Sequence, residues 1–185
     1  MDLVKSAELF AKNKHAGQFR IDGITPYSKH LDDVVNRLKS LGVIDEQLLC
    51  AGWLHDTIEN TTTTFDDLYD QFESEIAVLV SSLSKDMTIS RKKREQTYVI
   101  QLQEASFSAK LLKLCDISAN LGELKNYEAS KSKKLRQVKQ NRHYLNIIKN
   151  DLICNPNYPY VQALLESANL IFIKYGQRPL SIKSK

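Results

Sequence analysis

His55 and Asp56 stand side by side at the end of an apolar run, Leu48-Leu49-Cys50-Ala51-Gly52-Trp53-Leu54, and Glu59 follows about one helical turn later. A helix that is apolar nearly all round belongs inside a bundle rather than on its surface. On a helix, Glu59 is four residues from His55 and three from Asp56, so the three can share a face. Ionisable groups in a buried setting must pair with one another or coordinate a metal, because desolvating them alone is too costly. Two readings of the stretch stay open. It holds adjacent metal ligands with a carboxylate leaning over the same site, or it is a helix end emerging into solvent, where His, Asp and Glu are ordinary. Two more residues have suitable chemistry. His30 falls in the first turn of a helix predicted over 28–41, and Asp116 sits among Leu112, Leu114, Cys115 and Ile117, the setting of a buried, partnered carboxylate.

The elements that must position these residues read as helices. Apolar residues at helical spacing predict helices over 2–17, 28–41, 64–72, 74–83, 91–104, 106–124, 128–153 and 160–175, besides the central one, which Asp45 caps. Gly17 and Gly42 stop the first two. Between them, Asp22-Gly23 and Thr25-Pro26 signal turns. Thr64-Phe65-Asp66-Asp67 resembles a capping box, and Asn155-Pro156 breaks the long basic helix. No segment sustains period-two alternation, so the fold class is all-α, a helical bundle around a central buried helix that carries the His-Asp pair. The tail from Gly176 to Lys185 is polar and predicts a frayed end.

A chain of 185 residues, 42% hydrophobic and 26% charged, has enough apolar content for a sizeable core and the balance of an ordinary globular protein. We expect one domain over 1–185, with the motif-bearing part at about 5–150 and the last helix packed on it. No apolar run reaches the length of a membrane span, and Met1-Asp2-Leu3-Val4-Lys5 lacks the pattern of a secretory signal, which predicts a cytoplasmic protein with no membrane partner. Cys50, Cys115 and Cys154 are far apart and each sits among apolar residues, as buried thiols do. The net charge of +4 is unevenly placed, concentrated at Arg91–Arg94 and again over Lys125–Lys149. Such a bias is compatible with a phosphate-bearing ligand, although most basic surface is simply solvated helix.

Four ordered blocks resemble a known family: His15-Ala16-Gly17-Gln18-Phe19-Arg20, Thr25-Pro26-Tyr27-Ser28-Lys29-His30, Leu54-His55-Asp56-Thr57-Ile58-Glu59-Asn60-Thr61, and Lys113-Leu114-Cys115-Asp116 with Asn120-Leu121. Together they resemble the HD-domain metal phosphohydrolases, and more closely the (p)ppGpp hydrolase domain of RelA/SpoT-type proteins and its small stand-alone relatives. The resemblance implies that His30, His55, Asp56 and Asp116 bind one divalent cation, usually manganese. Two imidazoles and two carboxylates make a mixed nitrogen and oxygen set that suits Mn, Fe or Zn better than a thiolate-preferring ion. Glu59 matches the first acid of the family's H-D-x-x-E-D block and would manage the proton of the attacking water. Asn60 stands where the family has aspartate, and an amide cannot accept a proton. Arg20 matches a residue that packs against the guanine base, while Ile21 replaces the Lys or Arg that usually follows it. Asn120 and Tyr144 match contacts to the sugar and phosphate region, and Arg91 and Arg94 match basic residues near the pyrophosphate groups.

The implied activity is removal of the 3′-pyrophosphate of guanosine tetra- or pentaphosphate by a stand-alone hydrolase, since the chain is too short to add a synthetase module. A related reading keeps the mechanism and changes the nucleotide, for example to a phosphate on NADPH. A different class is a nucleotide-binding module that has lost turnover through Asn60. RNA binding by the basic helix around Lys131–Arg142 is the least favoured reading, and monomer and homo-oligomer are left open.

Overall fold

The computed structural model describes residues 2–182. Asp45 opens the central helix as its sequence position predicts: the carboxylate accepts the Gln47 backbone N–H at 2.9 Å and satisfies a donor that the first turn would leave unpaired. The helices are α1 (Leu3–Lys14), α2 (Ser28–Ser40), α3 (Glu46–Leu54), α4 (Thr57–Asn60), α5 (Phe65–Gln71), α6 (Ser74–Leu83), α7 (Arg91–Glu104), α8 (Phe107–Glu123), α9 (Lys131–Ile153) and α10 (Val161–Lys174). Among the described residues no strand forms, and the one isolated bridge pairs Phe19 with Pro26.

Every residue of α3 from Leu48 to Leu54 is buried, as an all-round apolar helix requires. It packs against α1, α2, α6 and α8, while α9 lies across α7, α8 and α10. Gly52 lets α2 come close. A Cβ built there would lie 3.0 Å from both Leu38 and Val35 side chains, so the absence of a side chain sets the distance between the two helices.

The apolar run does not continue into one helix through Glu59. α3 ends at Leu54, His55 and Asp56 form the joint, and α4 is a single turn. Two side chains capture carbonyls at the end of α3: the His55 ring meets Gly52 O at 2.8 Å, and the Thr57 hydroxyl donates to Leu54 O at 2.7 Å. Such local bonds compete with the next turn of backbone ladder.

Three other expectations need correction. The first helix ends at Lys14 rather than 17, and Gly17 sits in the following turn at φ +78°. Cys154 is exposed, whereas Cys50 and Cys115 are buried as expected. The chain after Gly176 does not fray over its described part. Leu180 is buried, and its backbone is clasped by the Asn169 side chain, which accepts from Leu180 N at 2.7 Å and donates to Leu180 O at 3.0 Å. Residues 183–185 lie outside the described range.

Candidate active site

Three of the four side chains expected at the metal cluster together, and the fourth, Asp116, approaches both imidazoles. His30 is the third residue of α2, His55 and Asp56 form the joint after α3, and Asp116 lies midway along α8. His30, His55 and Asp116 are buried, and Asp56 is partly so. One ligand atom each from His30, His55 and Asp56 lies within 4.8 Å of the other two. His30 Nε2 is 3.7 Å from Asp56 Oδ2 and 3.3 Å from Asp116 Oδ1, and His55 Nε2 is 3.3 and 3.9 Å from the same two atoms. Ligands about 2.1 Å from a shared cation stand about 3–3.5 Å apart, so the cluster is close to the spacing a metal needs.

Both Nε2 atoms are buried without a well-aligned hydrogen bond. A buried polar atom left in that state is costly, and two aimed at the same pair of carboxylates fit a divalent cation. The outer nitrogens support that orientation. His55 Nδ1 donates to Gly52 O, which in the neutral ring leaves the lone pair on Nε2. His30 Nδ1 is also buried without a hydrogen bond, with Glu123 Oε1 3.6 Å away, and Glu123 is held by Arg20, whose Nε and a terminal nitrogen donate to Oε2 at 2.9 and 2.7 Å. A carboxylate behind a ligating histidine is the usual way its ring is fixed.

Asp116 is held from three sides. Burial alone would raise its carboxyl pKa, but Lys113 at 2.8 Å from Oδ2 and the two imidazoles outweigh that and hold it well below the carboxylate range. Asn120 Nδ2 donates to Oδ1 at 2.6 Å, and Asn120 Oδ1 accepts from Arg20 at 2.7 Å. Burial also opposes charge on Asp56, and His55 again overrides it and keeps the group ionised. His55 shows the reciprocal effect: burial would lower it, but Asp56 and Asp116 raise it to about 9. An incoming cation therefore displaces a proton.

A cavity of about 210 Å³ opens over the cluster, lined by Arg20, Tyr27, His55, Asp56, Glu59, Asn60, Leu83, Lys85, Lys113, Asp116, Asn120, Gln137, Gln140, Asn141 and Tyr144. A second cavity of about 340 Å³ shares Arg20, Tyr27, Asn120 and Gln137 with it, and adds Phe19, Ile21, Glu123, Leu124 and Tyr127. The first space is polar, with three basic and three acidic side chains in its wall; the second is more apolar.

Of the residues singled out in the sequence, Glu59, Asn60, Arg20, Asn120 and Tyr144 all line the first cavity. Glu59 accepts the Lys85 backbone N–H at 3.1 Å. Arg91 and Arg94 do not line it: they occupy the first turn of α7, where Arg94 contacts Met87. The cations that do line it are Arg20, Lys85 and Lys113. Lys85 Nζ lies 4.8 Å over the Tyr98 ring and 5.1 Å over Tyr144, and Tyr144 donates its hydroxyl to Glu95. Sequence reasoning missed Lys85, Lys113, Glu123 and Tyr27. Lys113 and Tyr27 belong to the quoted blocks, so a signal existed. Lys85 lies in a polar connection with none.

A family model described as an HD domain matches residues 7–147. The chain belongs to the HD-domain family. The relatives found for this HD chain include guanosine-3′,5′-bis(diphosphate) 3′-pyrophosphohydrolases. That of Xenopus tropicalis is 35% identical over 125 residues, covering 66% of this chain and 70% of the relative. That of Homo sapiens is 37% identical over 124 residues, covering 66% and 69%. The enzyme of the same name from Aquifex aeolicus is 33% identical over 135 residues, 71% of this chain but 19% of that protein. In fold, the HD chain is similar to a solved metazoan ortholog of SpoT described as hydrolysing ppGpp, with a TM-score of 0.82 and 23% identity over 95% of this chain and 97% of that one. Among the described residues no helix is long and apolar enough to cross a membrane.

Proposed function

We propose that this chain is a metal-dependent phosphohydrolase that removes the 3′-pyrophosphate of guanosine 3′,5′-bis(diphosphate). The observation that carries the reading is the pair of buried imidazole Nε2 atoms and two ionised carboxylates converging beneath a polar cavity; the names of the relatives supply the substrate. His30, His55, Asp56 and Asp116 would hold the cation, and the mixed donor set favours Mn²⁺, with Fe or Zn as alternatives. When bound, such an ion supplies a Lewis acid that lowers the pKa of water and draws charge from a phosphoryl oxygen.

The chain's own residues do the rest. Glu59 lines the cavity with one oxygen pinned by the Lys85 N–H, which leaves the other to accept a proton from the attacking water. Lys113 and Lys85, each paired with a carboxylate (Asp116 and Glu95), would face the charge that accumulates on the phosphoryl group, and positive groups fixed in this way stabilise it. Arg20, 5.0 Å over the Tyr27 ring, lines both cavities and would give a purine a flat wall to pack on. Asn120 lines both cavities and Tyr144 the first. Arg91 and Arg94 remain candidates for the outermost phosphates of a long substrate.

An Mn²⁺-supplemented assay of pyrophosphate and phosphate release over a nucleotide panel, NADPH included, tests the reading. Asp56→Ala is expected to lose at least about a thousandfold in rate, the scale of losing an essential electrostatic element. Equal release by the two proteins would end the proposal, and release from NADPH alone would replace the substrate.

A further inference from the structure

Asn60 does not sit idle in the place where the family carries an acid. Its Nδ2 donates to the Tyr27 hydroxyl oxygen at 3.0 Å, and the Tyr27 hydroxyl donates to Asp56 Oδ2 at 2.6 Å. The direction of this relay is determined by its end. An ionised carboxylate only accepts, so the single Tyr27 proton points at Asp56, and the tyrosine oxygen can only accept from residue 60. That orients the Asn60 amide with its nitrogen inward.

The surroundings hold both members still. The Tyr27 ring stacks on His15 with centroids 4.5 Å apart and planes 8° from parallel. The Gln18 side chain meets His15 Nδ1 through its oxygen at 2.8 Å and donates from its nitrogen to the Asn60 backbone O at 2.9 Å. The Asp56 oxygen at the end of the relay is the one that faces both imidazole Nε2 atoms.

We propose that Asn60 is a positioning residue: its amide fixes the Tyr27 hydroxyl as a donor to Asp56 and so aims that carboxylate oxygen at the metal position between His30 and His55. An aspartate here would present a second acceptor to a hydroxyl with one proton, and Asp56 would compete with it for that proton. In this chain the amide gives the relay a donor at position 60. Proton handling in the cavity then rests on Glu59. The inference depends on the metal assignment made under the proposed function, and the test separates the two.

Mn²⁺ dissociation constants are measured on the purified full chain by electron paramagnetic resonance of the free ion, for wild type, Asn60→Asp, Tyr27→Phe and the double variant. A new carboxylate at position 60 also attracts the cation through space, but it does so equally with either ring at position 27, so that effect cancels in the cycle. The factor by which Asn60→Asp raises the dissociation constant is expected to be about tenfold larger when position 27 is tyrosine than when it is phenylalanine, the lower end of what outer-shell partners of metal ligands contribute. Equal factors in the two backgrounds would overturn the inference. Asn60→Leu provides a second route that needs no change at Tyr27. It keeps the volume but cannot donate, and is expected to weaken Mn²⁺ binding several-fold with an unchanged melting temperature in EDTA; binding within twofold of wild type would overturn the inference as well. Failure of the wild type itself to bind Mn²⁺ would instead overturn the metal assignment.

Discussion

Asp116 performs two tasks that mutation can separate. Its Oδ1 faces the imidazoles and its Oδ2 neutralises Lys113, whose side chain is only 15% exposed. Asp116→Asn leaves a largely buried ammonium without its counter-charge, and breaking such a pair from one side costs about 3 kcal/mol or more. We expect Asp116→Asn to lose Mn²⁺ binding and also to unfold at lower denaturant concentration. Adding Lys113→Met should restore much of the stability and none of the metal affinity, both read by urea titration with and without Mn²⁺. At this scale the sequence was informative where the chemistry is contiguous. His55 beside Asp56, at the end of a run too apolar for a surface helix, announces a buried charged pair. Lys113 sits three residues before Asp116 in a quoted block and still reads as an ordinary surface lysine, because only tertiary burial distinguishes the two. Lys85 was not legible at all, since its role comes from lying over Tyr98 and Tyr144, which are on α7 and α9.

Between elements, the spacing of α2 and α3 is what brings His30 to His55. Gly52 has Leu38 and Val35 carbons 3.0 Å from where a Cβ would stand, tighter than packed carbons tolerate. Gly52→Ala should destabilise the protein by about 1–3 kcal/mol, as overpacking does, and weaken Mn²⁺ binding by pushing the two imidazoles apart. A thermal melt and a metal titration check the pair of effects; a loss of stability with unaltered Mn²⁺ affinity would show that the bundle absorbs the strain elsewhere. The break between α3 and α4 was hidden from periodicity, because residues 55–60 continue a plausible helical pattern and the interruption comes from two side chains taking backbone carbonyls. The loop before α2 was announced by Asp22-Gly23, and it carries its own pH dependence. Asp22 accepts from the Thr25 hydroxyl and from the Ile24 and Thr25 N–H groups, which lower its pKa to about 2. The folded carboxyl is more acidic than the unfolded one, so the stabilisation is complete above the unfolded value near 4 and disappears as pH falls toward 2. Asp22→Ala should therefore be less stable than wild type at pH 6, and the difference should shrink below about pH 4 and be lost only below about pH 2. A difference that stays undiminished from about pH 4 to about pH 2 would mean that the carboxylate is not its source.

For the molecule as a whole, the helical spacing of the apolar residues sufficed to indicate a helical bundle with an apolar centre, because a 42% hydrophobic chain so arranged has few other ways to bury its stripes. It did not disclose how the chain ends. Residues after Gly176 are mostly polar, and polarity at a terminus ordinarily means fraying. Here one side chain reverses that outcome. Asn169, itself buried on α10, both donates to and accepts from the backbone of Leu180, mimicking a strand pairing that no periodicity could reveal. Arg142 on α9 adds a bond from Nε to the Arg178 carbonyl at 2.5 Å, so the segment ties α9 to α10 while remaining far in sequence from the metal cluster. Asn169→Ala removes two buried hydrogen bonds and leaves the Leu180 N–H and C=O to find water, which is worth about 1–3 kcal/mol. Because the clasp is local, the expected result is local release: amide exchange at Leu180 faster by about tenfold or more, since each 1.4 kcal/mol of opening energy is about a factor of ten. Mn²⁺ affinity should be unchanged, because no ligand and no residue behind a ligand lies in this segment. Loss of metal binding in Asn169→Ala would instead show that the C-terminal segment and the bundle around α3 unfold as one cooperative unit.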